Sequence, residues 1–473
     1  MAQDVERKLG LPALIGMVVG SMVGAGIFSL PRTFGGATGV AGAVIAWAIA
    51  GGGMYALARV FQILAERKPD LDAGVFAYAK AGFGDYAGFL AAFGYWIGSC
   101  IGNVSYWVLI KSTLGAFFPF FGDGNTVAAI ATASVGIWAF HFLILKGVQQ
   151  AAFINAVVTV AKVIPIVLFI LILLLAFKAD LFRANLWGSF SHAGLFEQVR
   201  RTMLVTVFVF IGIEGASVYS RHAQRRSHVG AATLIGFTSV LMLMVLVSLL
   251  PYAVMTQADI AGLRQPSMAG VLAHVVGPWG AVFVSVGLLI SVLGAYLAWS
   301  LICAEVLFAA SRNNDMPAVF SRMNRNGVPS TALWVSNGVV QLFVISTYWS
   351  SDAFALMLNL TSVMSLVPYL LVAGYGFTLA RRGGAHSPAE TRRRDLTLAG
   401  IAVVYTGFMV LAGGTKYMLL SALLYAPGTA LYFWARAEQG RRVFRRWELW
   451  LFAAACAGCF AAVVGLGRGW LVI

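Results

Sequence analysis

The sequence predicts an all-α polytopic membrane protein, and three observations carry that prediction. Apolar residues make up 60% of the 473 and charged residues only 11%, against about 25% charged in a soluble chain. Apolar runs of about 20 residues, the length that crosses a hydrocarbon core, recur along the whole chain. The alternating segments of about ten residues that build an outer-membrane barrel do not occur.

Thirteen spans are expected, at 11–31, 38–65, 84–118, 125–145, 152–177, 200–221, 230–255, 278–311, 331–349, 353–379, 396–413, 415–435 and 448–470. The third and eighth are long enough to tilt or to project beyond the bilayer. The opening MAQDVERKLG is short and charged and is followed by Pro12. It does not read as a cleaved signal, so the first apolar run is expected to stay as a helix. The longest external loop, 178–199, has room for one short interfacial helix, which makes residues 1–473 a single membrane domain.

Orientation follows from the cations. With the N-terminus in the cytoplasm, the inner segments hold 22 Lys and Arg and the outer ones eight, as the positive-inside rule requires. Topology therefore accounts for the net charge of +15 without a nucleic-acid partner, and the C-terminus is expected outside. Cys100, Cys303, Cys456 and Cys459 all lie in apolar runs. The last two form a CxxC with no histidine or second pair beside it, so buried small residues explain them better than a metal or redox site. His141, His192, His222, His228, His274 and His386 are scattered, mostly at span ends or in loops, and read as interfacial.

Ionisable groups at bilayer depth are expensive and therefore informative. Lys162 in VVTVAKVIPIVLF, Glu214 in FVFIGIEGASVYS and Glu305 in LICAEVLFAAS stand out, with pairing between helices as the plain alternative for each. Lys111 and Arg59 lie nearer span ends, where long side chains snorkel to the interface. Glycine is also costly in a helix, by about 1 kcal/mol relative to alanine. Yet GMVVGSMVGAGIFSLP, residues 16–31, carries Gly20, Gly24 and Gly26 at its centre. Close helix packing through the Gly20–Gly24 pair is one reading; a broken helix that exposes backbone groups is the other.

The sixth span repeats the pattern, with FIGIEGAS at its centre, five spans after the first. Interrupted helices at matching places in two halves are the mark of inverted-repeat transporters with a site at the midplane. Unwound backbone at that depth is tolerated only where it lines a cavity. There, free N–H groups attract a carboxylate and free carbonyls accept from an ammonium. The halves would be 11–177 and 200–379, a five-plus-five inverted repeat with discontinuous first and sixth helices, followed by additional helices over 396–470.

GSMVGAGIF, YWIGSCIGN (Tyr95–Asn103), FIGIEGAS and SLVPY (Ser365–Tyr369) resemble the amino acid–polyamine–organocation superfamily of transporters. Within it the chain is most similar to basic amino acid antiporters of the arginine/ornithine type. ERKPDLDAGVFAYAKAGFGDYAGF and IEGASVYSRHAQRRSHVG carry that closer likeness, and the resemblance covers essentially the whole chain. It implies that the substrate carboxylate meets the amides of Ala25 and Gly26, and that the α-amino group meets the carbonyls of Met22, Phe208 and Ile211. One departure stands out: relatives often have serine where Ala25 stands, so here the backbone alone would hold the carboxylate.

The resemblance also implies that Trp299 lies across the substrate's aliphatic part. Phe208 replaces a tryptophan of some relatives and can still cover a cation, though tryptophan does so best. Tyr95, Glu214 and Tyr369 would form an outer gate cluster, and Phe208 and Trp299 would gate the substrate itself. Asn103 and Thr361 would lie near the substrate side chain, with Gly98 and Ser99 leaving room for a long one. Glu214, the one acidic group clearly at midplane depth, would sense a cationic substrate. Lys162 matches a lysine that stands in some relatives near the sodium site of sodium-coupled cousins. It would replace that ion and lock the first and eighth helices together, or else titrate and couple transport to protons.

Arginine-for-ornithine exchange across the bacterial inner membrane is the leading expectation. A lysine or histidine/histamine exchanger, or a proton-coupled permease of the same fold, is the nearest rival. A non-transporting amino acid receptor finds little support, since the chain carries no cytosolic output domain. No nucleophile–base pair or cofactor motif suggests an enzyme. The resemblance leaves a homodimer open, without an interface motif to argue it.

Overall fold

The first apolar run is not one helix. α1 (Leu11–Met22) stops where Val23 (φ −77°, ψ 90°) and Gly24 (φ −109°, ψ −157°) become extended. A 3₁₀ turn, Ala25–Ser29, then leads into α2 (Leu30–Ala37), and the two halves meet at 46°. Pro31 stands in the first turn of α2, where its missing N–H leaves no helical bond unmade.

The computed structural model describes residues 10–68, 70–71, 74–147, 151–213, 226–350, 352–383 and 389–471. The remaining helices are α3 (Val40–Arg67), α4 (Val75–Phe83), α5 (Asp85–Phe117), α6 (Val127–Leu145), α7 (Ala151–Leu175), α8 (Ala179–Ala184), α9 (Leu195–Phe208) and α10 (Arg226–Leu249). They continue as α11 (Gln257–Gly262), α12 (Ser267–Val276), α13 (Pro278–Arg312), α14 (Ser330–Ser346), α15 (Ala353–Arg382), α16 (Ala389–Ala412), α17 (Gly414–Glu438) and α18 (Arg446–Gly467). No strand occurs among the described residues.

Nine helices among these residues are long and apolar enough to cross a membrane, and the bent α1–α2 pair makes ten. The other three expected spans fall on α7, of which Ala161–Leu175 counts as a shorter apolar helix, on the 14-residue α9 and on the 17-residue α14. The long loop carries one short helix, α8, as its length suggested. The protein is thus an all-helical, multi-pass membrane protein.

α5 runs through the centre, with 89% of its apolar window buried, and packs along α15, α13 and α4. α18 is its opposite at 11% and lies on the rim. Glycines bring α7 and α13 into contact: a Cβ on Gly287 would stand 2.3 Å from Pro165 Cγ, and one on Gly294 would stand 2.1 Å from Val158 Cγ2. Those contacts bracket Lys162 and fix its height in the bundle.

Several readings of polar residues change. Lys111 does not snorkel: it is 1% exposed, and its Nζ donates to Thr347 Oγ1 at 2.8 Å. His141 is not interfacial but fully buried, 3.0 Å from the Asn337 amide and edge-on to Trp334. Cys456 is exposed and Cys459 half-buried on the rim helix, so only Cys100 and Cys303 are core residues. Glu305 points outward from α13, exposed.

At the end of the bundle where α13 finishes, Lys80 of α4 donates to Asp315 Oδ1 (2.8 Å) and to the Asn313 carbonyl (2.9 Å). Asp85, 3.8 Å from Lys80, also pairs with Arg436 of α17 at 3.2 Å, which ties the C-terminal hairpin to α5. Burial pushes the Asp315 carboxyl up to about 6, with the Lys80 ammonium opposing the rise. A carboxyl whose pKa is higher in the fold than in the open chain favours the fold most at low pH. That contribution fades as pH climbs from about 4 through about 6. Lys80→Met removes the opposing cation and widens this window upward. Its melting temperature in detergent should therefore fall further below wild type at pH 8 than at pH 5; an equal fall at both would contradict the assignment.

Candidate functional site

The break in the first helix leaves backbone groups to be satisfied, and a distant lysine satisfies two of them. The last carbonyls of a helix have no partner within it. Val23 N–H takes the Val19 carbonyl. Lys162 Nζ donates to the carbonyls of Gly20 (2.9 Å) and Val23 (3.0 Å) from a site that is 2% exposed. Both of these bonds go to the first broken helix; no described bond joins Lys162 to the eighth span, whose glycines hold α7 by packing instead.

A second break faces the first. α9 ends at Phe208 and gives way to turns, with Phe210 N–H on the Val207 carbonyl (3.0 Å), Ile211 N–H on Phe208 (3.3 Å) and Ile213 N–H on Phe210 (3.1 Å). Gly212 has φ +105°, and a Cβ there would lie 2.8 Å from the Ser21 carbonyl oxygen. Only glycine suits both the dihedral and the approach. Ser21 Oγ closes the junction by donating to the Gly212 carbonyl at 3.3 Å. Gly26 is pressed from the other side, since a Cβ on it would meet Val209 Cγ1 at 2.8 Å and Phe208 Cδ1 at 2.9 Å.

Between the breaks lies an open-mouthed cavity, with about 480 Å³ of empty space in and before it, open solvent included. Of the residues expected at a binding site, Met22, Ala25, Gly26, Ser99, Phe208, Ile211, Trp299 and Thr361 line it. At the start of a helix the first amides have no acceptor within it, and among the described residues no hydrogen bond from the Ala25 or Gly26 N–H is seen at the cavity wall. The Met22 carbonyl already accepts from Gly24 N–H (3.0 Å) and the Phe208 carbonyl from Ile211 N–H, but each keeps a second lone pair. Thr361 Oγ1 has no partner among the described residues. No acidic or basic side chain appears among the described lining residues.

Two expected residues stand back. A Cβ on Gly98 would meet Met364 Cβ at 3.1 Å, which makes Gly98 a point of helix contact between α5 and α15. Asn103 is 1% exposed and donates to Cys303 Sγ at 3.6 Å, with its Oδ1 unpartnered among the described residues. Of the gate residues, Trp299 and Phe208 reach the cavity, whereas Tyr369 is fully buried edge-on to Phe61, with ring centres 5.9 Å apart. Tyr95 is 8% exposed and receives the Ser99 hydroxyl on its carbonyl at 2.7 Å. Glu214 lies outside the described residues. Ser21, Gly102, Tyr106, Met244 and Ser365 also line the cavity and were not anticipated. The spacing Tyr95, Ser99, Gly102, Tyr106 is one helical face and would have found two of them.

Replacing Lys162 by methionine strands two buried carbonyls, at a cost of about 1–3 kcal/mol each. Lys162→Met is expected to lower the melting temperature and abolish protection by ligand. A variant with wild-type melting and protection would show that the two bonds are dispensable.

Known proteins resemble this chain along most of its length. The profile of the family described as amino acid permease matches residues 9–415, so α17 beyond its first two residues, and α18 entirely, follow the matched segment. The chain is 53% identical to an arginine/ornithine antiporter of Pseudomonas aeruginosa, over the full length of both. It is 41% identical to an L-lysine transport protein of Corynebacterium glutamicum, with 99% of this chain and 97% of that one covered. An arginine/agmatine antiporter of Chlamydia caviae is 38% identical over 92% of this chain and 91% of its own. The chain belongs to the amino acid permease family.

Proposed function

We propose that the protein exchanges cationic amino acids across the bacterial inner membrane, arginine for ornithine, by alternating access to the cavity between the two helix breaks. The observation that carries this reading is the pairing at that cavity of helix-start amides with carbonyls that keep a lone pair to spare. Amides of Ala25 and Gly26 suit a carboxylate, and carbonyls of Met22, Phe208 and Ile211 suit an α-ammonium. Trp299 and Phe208 offer ring faces to the aliphatic chain and its cationic tip. The full-length likeness to an arginine/ornithine antiporter supports the choice of substrates.

In this reading the cytoplasmic N-terminus follows from the positive-inside distribution, and the two broken helices begin halves of opposite orientation. Lys162 acts as a fixed cation. Its two carbonyl acceptors suit a permanent ammonium, and exchange of two monocations is electroneutral without protons. Glu214 supplies the negative charge that the lining residues lack. No covalent step is needed, so the activity is transport rather than catalysis. A lysine exchanger is the second reading, supported by the Corynebacterium relative.

Vesicles containing the purified chain and loaded with ornithine should take up labelled arginine, while empty vesicles should not. Loading with lysine separates the two readings by which internal substrate drives uptake faster. Glu214→Gln should weaken arginine more than citrulline, its uncharged isostere. Equal uptake into empty vesicles, or an obligatory pH change per turnover, would contradict this account.

A further inference from the structure

Ala25 offers no hydroxyl at the break in the first helix, and Tyr106 brings one beside Gly24, the residue before it. Tyr106 stands on the face of α5 that carries Ser99 and Gly102, and it lines the cavity. Its hydroxyl lies 3.3 Å, and its Cε1 3.9 Å, from the point where a Cβ on Gly24 would sit. The side chain is only 6% exposed and is part of the cavity wall. A polar group on a ring held this tightly is fixed in position for a ligand. Phenylalanine would fill the same wall.

Gly24 is the residue just before the amides of Ala25 and Gly26, and having no Cβ it leaves the phenol room to approach the helix break. A tyrosine O–H is a single donor on a rigid ring. Bonds from such donors to an ionised carboxylate are shorter and stronger than those between neutral groups. We propose that Tyr106 supplies the hydroxyl that Ala25 lacks, donating a hydrogen bond to the α-carboxylate of the bound amino acid beside the amides of Ala25 and Gly26. This assignment rests on the amino acid reading of the cavity. It makes Tyr106 a determinant of specificity for amino acids over the amines that remain when the carboxylate is removed.

The test compares a carboxylate with its neutral amide. Protection of the purified full-length chain against thermal unfolding is titrated with L-arginine and with L-argininamide, for wild type and Tyr106→Phe. The variant should bind arginine about tenfold more weakly, as loss of one charge-assisted bond implies, and argininamide within about twofold of wild type. Tyr106→Met serves if the phenylalanine variant does not fold. Equal losses for both ligands, or no loss for arginine, would overturn the role of Tyr106. If arginine does not protect the wild type, the same comparison is made with whichever L-amino acid does. Protection by none sinks the substrate reading as well, so the two failures are distinguishable.

Discussion

A helix that stops in the middle of a bilayer must find partners for the backbone groups it releases, and everything about this cavity depends on how that need is met. Water cannot meet it within hydrocarbon. The ammonium of Lys162 does so for the Gly20 and Val23 carbonyls, from another helix 139 residues or more away along the chain. A single cation therefore holds the end of α1 open against α7. No hydrogen bond among the described residues gives the Ala25 and Gly26 amides such a partner, and the proposed carboxylate site rests on that difference.

The surrounding packing serves that arrangement. α7 carries Pro165, which cannot donate to the Ala161 carbonyl four residues before it, and Gly287 lets α13 come close at that same level. α13 in turn carries Trp299 to the cavity, so the helix that holds the cation and the helix that presents the aromatic wall are set by one line of glycine contacts. On the opposite side α5 is buried along nearly all its length. It contributes small residues at Ser99 and Gly102 and a large one at Tyr106 to the cavity wall. The second break closes the volume because Gly212 can take a positive φ against the Ser21 carbonyl.

Much of this was legible in the residues because the signals were local. Glycines clustered inside an apolar run have few explanations, and motif neighbours such as Met22, Ala25 and Gly26 travel with the break. Lys162 was conspicuous because a lysine at that depth is expensive. What could not be read was decided by helix rotation and by distant partners. Gly98 stands one residue before Ser99, yet a turn of about 100° sends it against Met364 while Ser99 meets the cavity. Met244 lies on α10, whose Thr233, Thr238, Ser239 and Ser248 are spread around the helix and mark no single inward face. Lys111 and His141 resembled interfacial residues until Thr347 and Asn337, 236 and 196 residues away, proved to be their partners. Tyr106 was one aromatic among many, and only its approach to Gly24 sets it apart.

The central claim is that two facing helix breaks, one of them held open by Lys162, grip a zwitterion between them. An experimental density map of the chain with L-arginine bound tests it most directly. The account predicts ligand density between residues 22–26 and 208–212, its carboxylate against the Ala25 and Gly26 amides, with Lys162 still on the Gly20 and Val23 carbonyls. Continuous helix through residues 16–31, or arginine bound elsewhere with this cavity empty, would contradict it.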